Sequence, residues 1–384
     1  MKITDIKSIR LRAAIPGEGQ VYSRRGVRTS RSTLLVEVHT DEGVSGIGSC
    51  SGNGTLIEAI VETVLKPLLI RTDPTNIEAI WDKAYFRGGI REFGSRGIGV
   101  VALSGIDIAL WDILGKVKGL PVYKLLGGAK REKVPVYATA LYPEETENVV
   151  KKAVAFAERG FRALKIKVGF DLAQDVEIVS AVRRRLGTNF TIMTDANQGY
   201  NIDAAIKAAA AFSELGVAWL EEPMFMEDVE AHAQLKTRSA VPIALGENLH
   251  TRFAFEAFMA RKAVDFLQPD VARAGGISEI TKIDEIAQSY HLPISLHTWG
   301  DGVALAASLH LSAALKNSSI MELDTTYNPL RTDLLSHPVE FQDGFMVPPE
   351  GPGLGINLNP EALKKYAFSG SEELSLWKKP VSSL

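Results

Sequence analysis

The sequence predicts a short α+β segment followed by a (β/α) barrel. Three observations carry this. Strand-like alternation fills residues 1–48, helical patterning fills 54–126, and from about residue 133 short apolar runs alternate with helix-length amphipathic segments. In the first segment Leu34, Val36 and Val38 fall on one face of a strand, and Asp41-Glu42-Gly43 signals a turn before 44–47. Residues 102–114 then form an apolar helix that runs to the break at Gly119-Leu120-Pro121.

The second rhythm has eight runs: 134–140, 163–168, 190–194, 218–220, 243–245, 266–267, 293–296 and 320–321. Strand–helix alternation argues for a parallel sheet, and eight strands suggest a closed barrel. An open doubly wound sheet is the competing arrangement. Its Gly-rich dinucleotide turn does not follow the first strand, which also counts against a nicotinamide-linked oxidoreductase. After about 345 the rhythm stops, and Gly351-Pro352-Gly353-Leu354-Gly355 breaks the chain. The tail is expected to pack back on the first segment.

Composition bounds the function. The 384 residues are 46% apolar and 23% charged, the balance of a globular protein. A net charge of -3 gives no general attraction to nucleic acid or to anionic membranes. Cys50 is the single cysteine, so no intrachain disulfide forms and a reducing compartment fits. With no run of 18 apolar residues and no signal-like N-terminus, a soluble cytoplasmic protein is the expectation.

The residues that close the putative strands are Lys167, Asp195, Glu221, Glu247, Asp270, His297 and Glu322, each 23 to 28 residues from the next. All are ionisable, and all fall where a strand meets its following loop, the rim that carries catalytic groups in barrel enzymes. An apolar strand has no folding reason to end repeatedly in a charge.

Each group has a chemical reading. In Leu164-Lys165-Ile166-Lys167-Val168 the period of two points Lys165 and Lys167 into the barrel, where crowding is expected to lower a lysine towards useful basicity. Asp195, Glu221 and Glu247 lie on consecutive strands and would repel one another without a cation. An all-oxygen set favours magnesium or manganese over zinc. Glu222, beside Glu221, points the other way. Asp270 one strand before His297 would hold the imidazole tautomer and raise its basicity, giving a second acid/base opposite Lys167. A protonated Glu322 could donate a hydrogen bond to a substrate carboxylate. The remaining histidines lack such partners in sequence and read as structural.

These motifs resemble the mandelate racemase group of the enolase superfamily. The resemblance rests on Lys165-Ile166-Lys167, Thr194-Asp195-Ala196-Asn197, Trp219-Leu220-Glu221-Glu222-Pro223, Gly246-Glu247-Asn248, Gln268-Pro269-Asp270, Leu296-His297-Thr298-Trp299 and Glu322. It extends into the first segment at Ser104-Gly105-Ile106-Asp107. It implies an α+β capping domain over 1–128, a modified TIM barrel, (β/α)7β, over 129–345, and a C-terminal segment over 346–384. By it, Lys167 and His297 are the two bases and Asp270 is the partner of His297. Asp195, Glu221 and Glu247 bind Mg²⁺, Lys165 assists at the substrate carboxylate, and Glu322 is the electrophile. A symmetric homo-oligomer is also expected.

Within the group, Trp299-Gly300-Asp301-Gly302 and Tyr327-Asn328-Pro329 are most similar to acid-sugar enzymes. The substrate is then a small carboxylate, a sugar acid or its lactone, contacted by Asn197, Arg25, Thr139 and Trp299. The shared step is loss of the proton α to the carboxylate. Loss of a β-hydroxyl makes a dehydratase, the favoured outcome. Opening of a lactone makes a cycloisomerase, and return of the proton a racemase or epimerase. Tyr22-Ser23-Arg24-Arg25-Gly26-Val27-Arg28 reads as a loop over the barrel mouth, whose arginines would suit a distal carboxylate.

Overall fold

The computed structural model describes residues 1–23, 26–93 and 96–370. Strand β1 (Ile3–Ala14) leads through a two-stranded ribbon, β2 (Val21–Ser23) with β3 (Gly26–Arg28), into β4 (Ser30–Thr40) and β5 (Ser45–Cys50). The order β1-β4-β5 is an antiparallel three-stranded sheet. Leu34, Val36 and Val38 do share one core, with Ile57, Val101 and Ile106. Leu35, on the opposite face, is equally buried, in the core that runs on into the barrel. The sheet is sandwiched, so simple alternation understates its burial.

The helices Gly54–Ile60 and Ile77–Asp82 open on Asn53 and Asn76, whose side chains accept from the backbone N–H groups of Leu56 and Ala79. Helix Ile98–Lys118 closes on Gly119, whose φ of 65° provides the left-handed cap. It is long and apolar enough to cross a membrane, but 83% of its apolar window is buried inside the fold, as in a core helix. It lies almost on β5: a Cβ at Gly48 would sit 1.9 Å from the Gly105 carbonyl oxygen.

The second part is a (β/α)7β barrel. Strands β6 (Val134–Leu141), β7 (Ala163–Lys167), β8 (Thr191–Asp195), β9 (Leu220–Glu221), β10 (Ile243–Leu245) and β11 (Phe266–Leu267) pair parallel in sequence order. The seventh run is not a regular strand. It makes single bridges, Leu267 to Ile294, Asp270 to His297 and Ile294 to Ser318. Pro293 at its start has no N–H to give to the ladder. Strand β12 (Met321–Asp324) pairs parallel with β6 and closes the ring. Seven helices alternate with the strands, from Thr146–Glu158 to Gly302–Ala314. Aspartate or asparagine caps several, among them Asp171, Asn201, Asp228 and Asp301.

Tyr137, Ala163, Met193 and Ala244, on four strands, pack with Trp219, just before β9, as a separate cluster. They form the floor of the barrel. A hairpin, β13 (Phe341–Gln342) with β14 (Phe345–Met346), adds antiparallel to the start of β6. The chain then returns to the first segment. Leu354 N donates to Asp112 Oδ1 at 2.8 Å, and Phe368 N to the Arg10 carbonyl at 3.0 Å.

The approach of Gly48 to Gly105 leaves no room for a methyl group. Gly48→Ala is expected to destabilise the protein by about 1–3 kcal/mol, as overpacking does. Urea unfolding reads this as a lower midpoint, and an unchanged midpoint would mean that helix and strand are not in backbone contact.

Candidate active site

Sheet register brings the rim residues together. Lys167 pairs with Asp195 across β7 and β8, and Asp195 with Glu221 across β8 and β9. Laterally paired residues on parallel strands face the same way, so the three converge on the lumen. Leu164, Ile166 and Val168 face the surrounding core, as the alternation predicts, and Lys165 is fully buried.

Lys165 is ringed by acidic oxygens. Its Nζ lies 2.8 Å from both Glu221 carboxylate oxygens and 2.8 Å from Glu322 Oε1. The Tyr137 hydroxyl is 3.4 Å away and Asp195 Oδ2 3.7 Å. Lys167 pairs with Asp195. Across the lumen, His297 Nδ1 meets Asp270 Oδ2 at 2.7 Å and Nε2 meets Glu247 Oε2 at 2.9 Å. Asp270 is itself fixed, because its Oδ1 accepts from Ala272 N.

Asp195, Glu221 and Glu247 are all buried, and each offers an oxygen within 4.8 Å of the others. Counted as fully ionised, five carboxylates (these three, Asp270 and Glu322) face two ammonium groups and an imidazolium, an excess of two negative charges among these side chains. One divalent cation would balance it. An all-carboxylate trio suits a hard, oxygen-seeking ion, so the residues fit magnesium.

The electrostatics differ from the sequence expectation at two groups. Burial works to lower the lysines, but Glu221 and Glu322 hold Lys165 well above its ordinary value, and Asp195 does the same for Lys167. The expected depressed lysine does not appear, because the anions around the pair outweigh the repulsion between the two lysines. Burial likewise raises Glu322, yet Lys165, His297 and Lys167 outweigh it and hold the carboxyl down at about 2. Glu322 is therefore an anion in this arrangement and accepts from Lys165, where a protonated donor was expected. Burial, with Asp195 and Glu322 nearby, pushes Glu221 up to about 7 against the pull of Lys165. His297 stands well above its ordinary value, because Glu322, Glu247 and Asp270 overcome its desolvation.

The expected substrate-contact residues divide. Asn197, at φ 41°, donates through its backbone to Asp195 Oδ1 at 2.8 Å and lies at the acidic trio. Thr139 is buried on β6, opposite Asp324. Trp299 stands two residues past His297, its ring 4.0 Å from the Arg31 guanidinium carbon and 4.8 Å from that of Arg28. Arg25 lies outside the described residues. Glu222 turns away from the trio and accepts from Asn248 Nδ2 at 2.8 Å.

Sequence reasoning missed Gln268, whose Nε2 donates to Glu221 Oε2 at 2.7 Å. It also missed Tyr137, which shares the inward face of β6 with Thr139. Both obey the period of two already used for the lysines, so extending it to every strand would have found them.

A capped (β/α)7β barrel with two lysines, an acidic trio and an aspartate-paired histidine at its rim defines an acid–base enzyme of the enolase type. Comparison with known proteins agrees. Residues 148–362 match the family model for the enolase C-terminal domain-like fold, and 15–127 that for the mandelate racemase / muconate lactonizing enzyme N-terminal domain. The chain is 38% identical to D-galactarolactone cycloisomerase of Agrobacterium fabrum, over 95% of this chain and 99% of that protein. It is 36% identical to arabinonate dehydratase of Saccharolobus solfataricus, over 87% of this chain and 90% of that one. Among solved structures, an enolase superfamily member from Polaromonas sp. JS666 superposes with a TM-score of 0.90 at 34% identity, covering 96% of this chain and 98% of that one. A racemase from Streptomyces coelicolor with bound magnesium gives 0.87 at 29% identity, covering 95% and 100%. The chain belongs to the mandelate racemase / muconate lactonizing enzyme family of the enolase superfamily, whose members bind magnesium.

Replacing one carboxylate of the trio should weaken the cation site. Asp195→Asn is expected to lower magnesium affinity by roughly tenfold or more, since even residues that only support ligands cost that much. Titration calorimetry checks it. An unchanged affinity would place the ion elsewhere.

Proposed function

We propose that this enzyme removes the proton α to the carboxylate of a sugar acid and then expels the β-hydroxyl as water, leaving a 2-keto-3-deoxy acid. The carrying observation is the placement of two bases, Lys167 and the Asp270-paired His297, across the lumen from each other with the acidic trio between them. The names of the relatives support the substrate class, for they include sugar-acid dehydratases and a sugar-lactone cycloisomerase. Asp195, Glu221 and Glu247 would hold Mg²⁺, and Mn²⁺ could replace it. When bound, the metal supplies positive charge to the substrate carboxylate as it gains its second negative charge.

The chain's own groups do the rest. Lys165 sits beside Glu221 and Glu322, where its ammonium can hold one carboxylate oxygen of the substrate. Lys167 takes the α-proton as the neutral amine, a form that would become available once Asp195, which holds it charged here, turns to a bound metal ion, and the C–H electron pair passes into the enediolate. That pair then forms the C=C bond as the β-carbon–oxygen bond breaks. His297 Nε2 gives its proton to the departing oxygen, which leaves as water, and the enol tautomerises to the ketone. Asp270 keeps Nδ1 protonated and so aims Nε2 inward. Asn197, Thr139 and Trp299 line the substrate's path, and Arg25 is kept as a further substrate contact. The divisions at 128 and 345 are the domain boundaries we adopt.

A second reading has its own support. Identity of 38% to a lactone cycloisomerase favours the same elimination with a ring oxygen as the leaving group. The product separates the two: water loss from an open acid, or ring opening with no change in composition.

His297→Asn is expected to lower kcat on the true substrate by roughly 10²–10⁴, the usual worth of a positioned acid or base. A colour test for 2-keto acids across a sugar-acid panel checks the reaction. Exchange of the α-hydrogen in deuterated water without keto product would replace elimination by racemisation.

A further inference from the structure

A second ionic cluster sits one layer nearer the barrel mouth. Asp324 follows Glu322 by two residues on β12, so both carboxylates face the lumen, roughly 6–7 Å apart along the strand. Two arginines reach Asp324 from different parts of the fold. Arg31 of β4 brings Nη2 to 3.1 Å from Oδ2, and Arg331 brings Nη1 to 3.0 Å from the same oxygen. Two guanidinium groups thus share one carboxylate.

Arg31 is 2% exposed and Asp324 1%. A buried group of net charge +1 is costly unless an anion completes it. The donors show where one would go. Arg31 Nε reaches the Tyr327 carbonyl and Nη2 is taken by Asp324 and Thr326, but Nη1 is buried with no hydrogen-bond partner among the described residues. Thr139, paired with Asp324 across β6 and β12, has its hydroxyl oxygen buried and equally unpartnered. The Tyr142 hydroxyl, just past β6, feels both Lys167 and Arg31, so the cluster and the inner site adjoin.

We propose that Arg31, with Thr139, forms a subsite for a second carboxylate at the far end of the substrate, making the preferred substrate a sugar diacid. This rests on the sugar-acid reading above and gives it a direction: one carboxylate beside Lys165, the other against Arg31. Nη1 and the Thr139 hydroxyl donate to the distal carboxylate, and its charge neutralises the surplus guanidinium. Arg31 takes this role from within the wall of the site, where the sequence had suggested Arg25.

The test is calorimetric titration of the magnesium-loaded protein with a six-carbon aldarate and its matching aldonate. Wild type should bind the diacid about tenfold or more tightly than the monoacid, the scale of one charged hydrogen bond. Arg31→Gln should narrow that preference to within about twofold, which is no more than a few tenths of that bond's worth. Arg31→Lys keeps the charge against Asp324, so it guards against simple unfolding, and it should retain part of the preference. Equal weakening of both acids would make Arg31 a strut between cap and barrel and overturn the subsite, as would an intact preference in Arg31→Gln. The two readings fail separately. A charge-dependent preference without turnover would sink the proposed reaction and leave the subsite, whereas turnover of aldonates alone would do the reverse.

Discussion

The burial of one ammonium group organises this molecule. Lys165 has no solvent contact, and its charge is met by Glu221 and Glu322 at 2.8 Å, one on either side. Breaking such a buried pair by removing one partner costs about 3–5 kcal/mol. The anions are therefore not free to swing out to water, and Gln268 further fixes Glu221. Below, the aromatic floor of Tyr137 and Trp219 seals the lumen. Above, the carboxylates that Lys165 does not satisfy create the negative surplus that a divalent ion would fill. The fold thus tolerates the unbalanced trio because one cation has been built in and room is left for another.

The cap is part of the same construction. Thr33 of β4 and Ser49 of β5 both donate to Asp301 Oδ2, the Ser49 contact at 2.6 Å, while Asp301 Oδ1 caps the helix Gly302–Ala314. The loop carrying His297, Thr298 and Trp299 leads straight into that cap. A second joint lies at Gly275 and Gly276, where Ser104 Oγ accepts from Gly275 N, and a Cβ at Gly276 would fall 2.3 Å from Asp107 Oδ1. The glycines let the buried helix Ile98–Lys118 dock on the start of the helix Gly276–Ser289. Orientation of the imidazole is consequently tied to cap packing at two separated points, and not only to its own strand.

The barrel's inner layer was legible because its information is local. A period of two within Leu164–Val168 places both lysines, and a repeat of one charged residue per strand end locates the rest without any knowledge of contacts. Charge state was not legible in the same way. The sequence shows two lysines two residues apart and suggests mutual repulsion, yet each finds a carboxylate from another strand, so both rise instead of falling. Glu322 reverses for the same reason. Arg31 was hidden for a different one: its partner Asp324 lies 293 residues away, and nothing in Ser30-Arg31-Ser32 announces a buried charge. The seventh strand was placed correctly but is held by isolated bridges, a loss of regular pairing that its apolar run does not reveal.

These two kinds of legibility correspond to two kinds of construction. The inner layer is made of strand ends in register, so any change of position there shifts every neighbour, and its chemistry is tied to the barrel itself. The outer layer is made where β4 of the cap meets β12 and the loop after His297, three pieces that the ladder does not hold in common. Residues there can change without moving Lys165 or the trio. Arg31 shows how little is needed: one side chain from the cap, stacked on Trp299 and balanced on a carboxylate shared with Arg331, alters the charge of the pocket's far wall. A fold divided in this way can keep a single proton-abstraction step and vary the acid it acts upon. The wide spread of sugar acids named among its relatives is what that division would produce.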